Sequence, residues 1–243
     1  MKFEERALNF DYKLTELEDD LVDYILKNKE AAARSKITVL AKEFYSVPNT
    51  ITQFCHKLGY EGFTDLKASL KWELDQEKGN QQLTDRYDLM KNIDLIDLER
   101  QDKCIRLFHE AKAINFFAIG QTGDLSKVCI DNFYAFDPKF IFSPHPNTVA
   151  QRISHAEEEI FFFISLSGES EAVLKLAQQA KVMNHCVISL TNLSDNNLAR
   201  IADLSLFCYA KPEIVDGYNV TDKTPLMIIM NSLFRNYIKK RVV

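Results

Sequence analysis

An apolar run ends abruptly in hydroxyl side chains at residues 161–170, which read FFFISLSGES. The run predicts a buried strand. Gly168 lets the backbone turn without a Cβ clash, and a helix starting at Ser170 presents unpaired N–H groups to an anion. Ser165, Ser167 and Ser170 add hydroxyl donors. The segment predicts a phosphate cradle, although a plain strand-to-helix turn with a Ser N-cap fits the same spacing.

The elements after this cradle follow in a recognisable order. A helix is predicted over residues 171–184 and a strand over 186–190, and S-x-x-x-L-A-x-I-A-D occupies residues 194–203. With S-x-S-G-E-S before it, the series resembles the SIS, or sugar isomerase, domain over roughly residues 113–210. The resemblance implies a five-stranded parallel sheet flanked by helices and a loop that holds the phosphate of a phosphosugar. The ligands implied in this loop are Ser165, Ser167, Gly168, Glu169 and Ser170.

A second loop of the resemblance, residues 118–126, reads AIGQTGDLS. SIS domains typically have G-x-G-x-S here, with the Ser touching the sugar phosphate. Aligned on that motif, Gly120, Thr122 and Asp124 are the candidate ligands, with Asp124 in place of the Ser. A carboxylate there repels a phosphate. Asp124 therefore either impairs phosphate binding by this repulsion, or points away, or binds sugar hydroxyls of a different class of ligand. Ser126 could replace it if the loop shifts.

Residues 37–54, ITVLAKEFYSVPNTITQF, predict a short helix over 39–44, a tight turn, and a second helix starting near Pro48 or Asn49. This is the layout of a helix-turn-helix, whose second helix lies in the major groove of DNA. A plain helical hairpin gives the same pattern. The residues predicted to face DNA are Pro48, Asn49, Thr50, Thr52, Gln53, His56 and Lys57.

Residues 54–67, FCHKLGYEGFTDLK, resemble the F-x-x-K-L-G-[FY]-x-G-[FY]-x-x-L-K signature of the RpiR family of bacterial regulators. With the helix predicted over residues 14–28 and the SIS resemblance, the match covers nearly the whole chain. It implies a dimeric transcriptional regulator that binds operator DNA and responds to a phosphosugar. Val47 and Gln53 stand where that family usually has Ser and Arg. These departures imply a weaker helix start and one phosphate or guanine contact fewer.

The pattern of apolar residues along the chain changes near residue 78. Helical periodicity dominates before it, and residues 77–86, EKGNQQLTDR, have the composition of a linker. A helix is predicted over residues 87–110. Strands and helices then alternate from residue 113, with the first of these helices starting at Asp124, which predicts βαβ units. We predict an all-α helix-turn-helix domain over residues 1–78, a linker and connecting helix over 79–100, and an α/β SIS domain over 101–243.

Composition narrows the class of protein. The 243 residues are 46% hydrophobic and 27% charged, enough to bury a sizeable core. The absence of long apolar runs and the charged N-terminus predict no membrane association and a cytoplasmic location. The five scattered cysteines predict core thiols rather than disulfides or a metal site. Net charge is −5, but residues 25–72 carry eight basic and four acidic residues. That local +4 is compatible with DNA binding and equally with a solvated charge mixture.

These observations favour a transcriptional regulator that senses a phosphosugar, controls sugar-metabolism genes, and acts as a homodimer or a dimer of dimers. No cofactor, metal or catalytic residue is expected. The alternative is a sugar-phosphate isomerase or related SIS enzyme whose helical domain mediates oligomerisation. Such an enzyme needs a general base; the candidates are Glu169, Glu171, His145, His155 and His185. A regulator that has lost its small-molecule response is a third possibility.

Overall fold

The computed structural model describes residues 1–10, 14–77 and 84–241. The chain forms two compact units, Met1–Asp85 and Arg86–Val243. The centre of the predicted linker, residues 78–83, lies outside the described residues. Residues 86–100, which we predicted as connecting segment, belong to the second unit. There Leu95 is buried, and the Asn92 Oδ1 accepts a hydrogen bond from the Tyr209 amide at 2.7 Å.

The first unit is helical, as the sequence predicts. Its helices are α1 (Phe3–Leu8), α2 (Glu16–Lys27), α3 (Lys29–Arg34), α4 (Ile37–Glu43), α5 (Pro48–Lys57) and α6 (Phe63–Glu77). Apolar residues at spacings of three and four, such as Leu21 and Ile25 of α2 and Ile51 and Phe54 of α5, form one buried core. The core fixes which face of α5 remains at the surface.

The second unit contains a five-stranded parallel sheet, which confirms the predicted fold class. Its strands are β1 (Ala113–Phe117), β2 (Phe140–Ser143), β3 (Glu159–Ser165), β4 (Cys186–Asn192) and β5 (Leu204–Cys208). Their order across the sheet is β2-β1-β3-β4-β5. In register, Phe116 of β1 lies between Phe142 of β2 and Phe162 of β3. Strands buried on both faces need apolar side chains in both directions, which explains the uninterrupted apolar run in β3.

Helices and a small hairpin complete the second unit. The helices are α7 (Thr84–Asp94), α8 (Leu98–Glu110), α9 (Gly120–Phe136), α10 (Pro146–His155), α11 (Glu171–Val182), α12 (Asn197–Ile201) and α13 (Thr224–Arg241). The hairpin consists of β6 (Ile214–Val215) and β7 (Tyr218–Asn219), paired antiparallel. No helix of the described residues is long and apolar enough to span a bilayer.

Several boundaries differ from the sequence prediction. The helix after β1 starts at Gly120 rather than Asp124. Gly123 therefore lies in its first turn, where a Cβ would lie 2.8 Å from the Ala118 carbonyl oxygen. The single helix predicted over residues 87–110 is two helices, interrupted between Asp94 and Leu98. The hairpin and α1 were not predicted, because neither shows enough periodicity to signal an element.

Candidate functional site

The carboxyl ends of β1 and β3 border a cleft of about 180 Å³. These strands are neighbours, but the chain runs from β1 to one side of the sheet and from β3 to the other. Loops diverge at such a switch point, and open α/β sheets bind ligands in the crevice left between them. The lining residues are Ile119, Thr122, Ile164, Ser165, Leu166, Ser167, Ser170, Val173, Asn219 and Lys223.

The loop after β3 is fixed by backbone hydrogen bonds and by Gly168. The Gly168 amide donates to the carbonyl oxygen of Ser165 at 3.1 Å and to its Oγ at 3.2 Å. Gly168 has φ +67°, and a Cβ there would lie 2.1 Å from Asn196 Oδ1. That Oδ1 also accepts from the Ala199 amide at 2.9 Å, capping α12. The loop therefore requires glycine, both for its φ and for its contact with Asn196.

The hydroxyl groups of this loop serve two purposes. Ser165 is buried and bonds to the loop itself, while the Ser167 Oγ accepts from the Glu169 amide at 3.2 Å. Ser170 is the N-cap residue of α11, yet its side chain caps no amide of the helix. The Ser170 hydroxyl and the first N–H groups of α11 are thus available at the cleft. Together they can bind an anion.

The structure separates the eight predicted ligand residues into two groups. Thr122, Ser165, Ser167 and Ser170 line the cleft, whereas Gly120, Asp124, Gly168 and Glu169 do not. Glu169 instead accepts two hydrogen bonds from Asn197, from its amide at 2.8 Å and its Nδ2 at 2.7 Å. It ties the loop to the start of α12.

Asp124 does not face the cleft. It is exposed on α9, two residues after Thr122. Two helical residues differ by about 200° around the axis, so a helix that turns Thr122 toward the cleft turns Asp124 away. The expected repulsion of a phosphate therefore does not arise from this geometry, and Asp124→Ser should leave ligand affinity unchanged.

Lys223 and Asn219 are cleft residues that sequence reasoning missed. Of the described residues that line the cleft, Lys223 alone carries a charge. Its Nζ donates to the Thr221 carbonyl oxygen at 2.7 Å, which positions the ammonium. The hairpin beside it is held by a hydrogen bond from Gln121 to the hydroxyl of Tyr218. No local pattern signals Lys223, since it lies more than fifty residues beyond the loop that carries Ser165, Ser167 and Ser170, the serine loop.

A larger cavity of about 410 Å³ lies beside α10 and β2. Its cation, Arg152, is already neutralised by Glu159, to which Nε donates at 2.7 Å and Nη2 at 2.5 Å. The Asn115 Nδ2 donates to the same carboxylate at 2.8 Å. The positive charge of Arg152 is thus already paired, and the smaller cleft is the better candidate for an anion.

The predicted helix-turn-helix corresponds to α4, the turn at residues 44–47, and α5. The buried face of α5 carries Ile51, Phe54 and Cys55. All seven residues predicted to face DNA are exposed or half-buried: Pro48, Asn49, Thr50, Thr52, Gln53, His56 and Lys57. Pro48 occupies the first position of α5, where its fixed φ suits a helix start.

Three of these seven side chains have partners within the unit. The Thr52 Oγ1 donates to the Pro48 carbonyl oxygen at 3.1 Å, and His56 Nδ1 lies 3.1 Å from the Tyr60 carbonyl oxygen. The Lys57 ammonium lies 2.5 Å from Glu18 Oε1 of α2. Lys57 thereby joins α5 to α2.

Glu18 is a buried carboxylate that also caps its own helix. Its Oε2 accepts from the Thr15 amide at 2.9 Å, forming a capping box at the start of α2. Burial alone would raise the pKa of Glu18, but the hydrogen bonds from Lys57 and Thr15 outweigh it and hold the pKa below its ordinary value. Glu18 is therefore ionised at neutral pH.

Known proteins share both units of this chain. Residues 1–77 match the helix-turn-helix domain of the rpiR family, and residues 139–236 match the SIS domain. The chain is 26% identical over 248 residues to the HTH-type transcriptional regulator GlvR of Bacillus subtilis, covering 96% of this chain and 94% of GlvR. It is 25% identical to HexR of Escherichia coli, another HTH-type transcriptional regulator, with 84% of this chain and 76% of HexR covered.

Solved structures agree on the fold. The Vibrio vulnificus NanR protein, solved in complex with ManNAc-6P, superposes with a TM-score of 0.54 at 20% identity, covering 98% of this chain and 90% of NanR. The sugar isomerase domain of an RpiR transcription factor from Sphaerobacter thermophilus has a TM-score of 0.58 at 13% identity, covering 65% of this chain and 87% of that domain.

The fold and both domain matches define a transcriptional regulator that joins a helix-turn-helix to a SIS domain. The chain belongs to the RpiR family of such regulators. Its relatives are named as regulators rather than enzymes, which agrees with the prediction that it is not an enzyme.

Proposed function

We propose that this regulator binds a phosphosugar in the cleft at the ends of β1 and β3, and binds operator DNA through α5. Binding of the sugar phosphate alters binding of the DNA, and the genes controlled are those of sugar metabolism. The protein acts in the cytoplasm, where the DNA is, as a homodimer or a dimer of dimers.

The main support for the proposal is that Lys223 and the serine loop line the same cleft. A phosphate needs several donors and a positive charge, and the cleft supplies both: the hydroxyls of Thr122, Ser167 and Ser170, and the ammonium of Lys223. The N-terminus of α11 adds backbone N–H groups at the positive end of a helix dipole. At about 180 Å³, the cleft suits a small ligand of this kind.

DNA binding by α5 rests on its exposed polar face and on the charge around it. Asn49 and Gln53 are exposed one helical turn apart, and amide side chains of this type pair with adenine in the major groove. Residues 25–72 carry a local net charge of +4. A dimer would present two such helices to two half-sites.

A gel-shift titration tests the proposal. The full chain is mixed with a 200-base-pair duplex from upstream of its own gene, at about 100 mM salt because affinity depends on salt. The experiment is repeated with a panel of pentose and hexose phosphates and with the corresponding neutral sugars. A shift that a sugar phosphate changes and its neutral sugar does not supports the proposal. A shift that no phosphate affects contradicts the sensing half, and no shift contradicts the DNA-binding half.

A further inference from the structure

The turn between α4 and α5 contains a backbone conformation that its residue type does not favour. Tyr45 has φ +48°, in the left-handed region where Gly or Asn is usual. The Ser46 amide donates to the Ala41 carbonyl oxygen at 2.8 Å, and the Tyr45 amide to that of Lys42 at 3.2 Å. These bonds form a Schellman motif with Tyr45 just after the C-cap, the position that most favours glycine.

Two other helices of this chain end in the same motif with residues that suit it. After α5 the left-handed residue is Gly59, with φ +76°, and after α11 it is Asn184, with φ +61°. Tyr45 thus stands at the position where these two helices have Gly or Asn.

The Tyr45 side chain does nothing to offset this strain within the first unit. It is 100% exposed, and it makes no hydrogen bond, ion pair or ring contact with the described residues. Two residues later Val47, the N-cap of α5, is 59% exposed and supplies no capping group. Residues in strained backbone conformations cluster at functional sites, where the strain serves binding or catalysis. A contact with a partner molecule would account for this exposed, strained tyrosine.

We propose that the Tyr45 hydroxyl donates to a phosphate of the operator backbone, at the edge of the groove that α5 enters. In a helix-turn-helix the first helix crosses the backbone and the second enters the groove, so the turn between them passes the phosphates. Tyrosine is among the side chains that bond phosphate oxygens, and such contacts fix register without reading sequence. The exposed Pro48 and Asn49 continue this surface into α5. The inference rests on the proposed DNA-binding role of α5.

The test exploits the opposite effects of one substitution on folding and on binding. Tyr45→Gly relieves the strained φ, so the full-length variant should melt at the wild-type temperature or above. It should nevertheless bind DNA about tenfold more weakly, because a hydrogen bond to a charged group is lost. Tyr45→Phe should also weaken binding. Affinity is measured by fluorescence anisotropy on two labelled duplexes, one from upstream of the gene and one of scrambled sequence. Both should be affected equally, since a phosphate contact is not sequence-specific.

Tyr134→Phe is the matched control, since Tyr134 is an exposed tyrosine of α9 in the other unit. It should leave DNA affinity unchanged. Wild-type affinity in Tyr45→Gly or Tyr45→Phe overturns the proposal, and so does a loss confined to the upstream duplex. A lowered melting temperature in Tyr45→Gly, or a changed oligomeric mass by light scattering, assigns the residue to folding or to a subunit interface instead. If the wild type binds neither duplex, the proposed DNA-binding function itself fails.

Discussion

Lys223 is the residue on which charge recognition in the cleft depends. Its ammonium lines the cleft beside the serine loop and is oriented by the Thr221 carbonyl oxygen. Removing the charge in Lys223→Ala should weaken phosphosugar binding by tenfold to a hundredfold, because a hydrogen bond to a charged group contributes about 1.5–3 kcal/mol. Affinity for the neutral sugar should not change. Isothermal titration calorimetry with each ligand measures both.

Lys175→Ala is the control for this charge deletion, since Lys175 is exposed on α11 and does not line the cleft. It should bind like the wild type. Equal losses of phosphosugar affinity in the two variants would mean that Lys223 acts only through the overall charge of the protein. Unchanged affinity in both variants would mean that Lys223 does not bind the phosphosugar.

Gly168 fixes the loop through a contact that no other residue type permits. Gly168→Ala puts a Cβ 2.1 Å from Asn196 Oδ1 at a φ of +67°. The substitution should lower the free energy of unfolding by about 2 kcal/mol or more, through strain and displacement of the α12 cap. Urea denaturation measures this. Gly217→Ala is a useful comparison, because it also has a positive φ but open space around it, and it should cost less.

At the scale of elements, the Glu18–Lys57 pair joins α2 to α5. The Glu18 side chain is 8% exposed, and Lys57 reaches it from the helix predicted to bind DNA. Glu18→Gln keeps the size of the side chain and removes its charge, so at pH 7 it should lower the free energy of unfolding by about 1.5–3 kcal/mol. The pKa of Glu18 is lower in the folded state. Its stabilisation is therefore present above the unfolded pKa, roughly 4.3, and disappears as pH falls through the folded value.

The prediction is checked by urea denaturation of both proteins from pH 7 down to about pH 3. The stability difference between wild type and Glu18→Gln should shrink below about pH 4. Asp23→Asn removes an exposed ion pair, Asp23 with Lys27, and should cost no more than about 1 kcal/mol. A constant difference between wild type and Glu18→Gln at all pH values would mean that the charge of Glu18 is not what stabilises the pair.

At the scale of the whole molecule, sugar binding should raise the thermal stability of the protein, and dimerisation should raise its molar mass in solution. A phosphosugar at a hundred times its Kd should add about 2.7 kcal/mol to the stability of the unit that binds it. In a thermal-shift screen, one class of sugar phosphate should therefore raise the melting temperature of the protein, and the neutral sugars should not. Light scattering should give at least twice the chain mass of 28.0 kDa. A monomer at micromolar concentration would contradict the proposed homodimer.

Much of this architecture follows from local sequence. The central strands β1, β3 and β4 can be predicted because burial on both faces makes them continuous apolar runs, and the start of α5 can be predicted because Pro48 fits the first turn of a helix. The serine loop is legible because Gly168 stands between a strand and a helix. The helical break after Asp94 and the hairpin at Tyr218 were missed, since short elements held by distant contacts carry little periodicity.

The fold class, the helix-turn-helix and the serine loop could be predicted from the sequence, because each depends on residues within a few positions of one another. Which residues meet at the sites depends on how the elements pack. The segment between the hairpin and α13 brings Lys223 to the serine loop, helix packing ties Lys57 to Glu18, and the start of α9 at Gly120 turns Asp124 away. These relations join residues far apart in the chain or depend on the phase of a helix. Tertiary packing determines these relations, and no local sequence pattern indicates how distant elements pack.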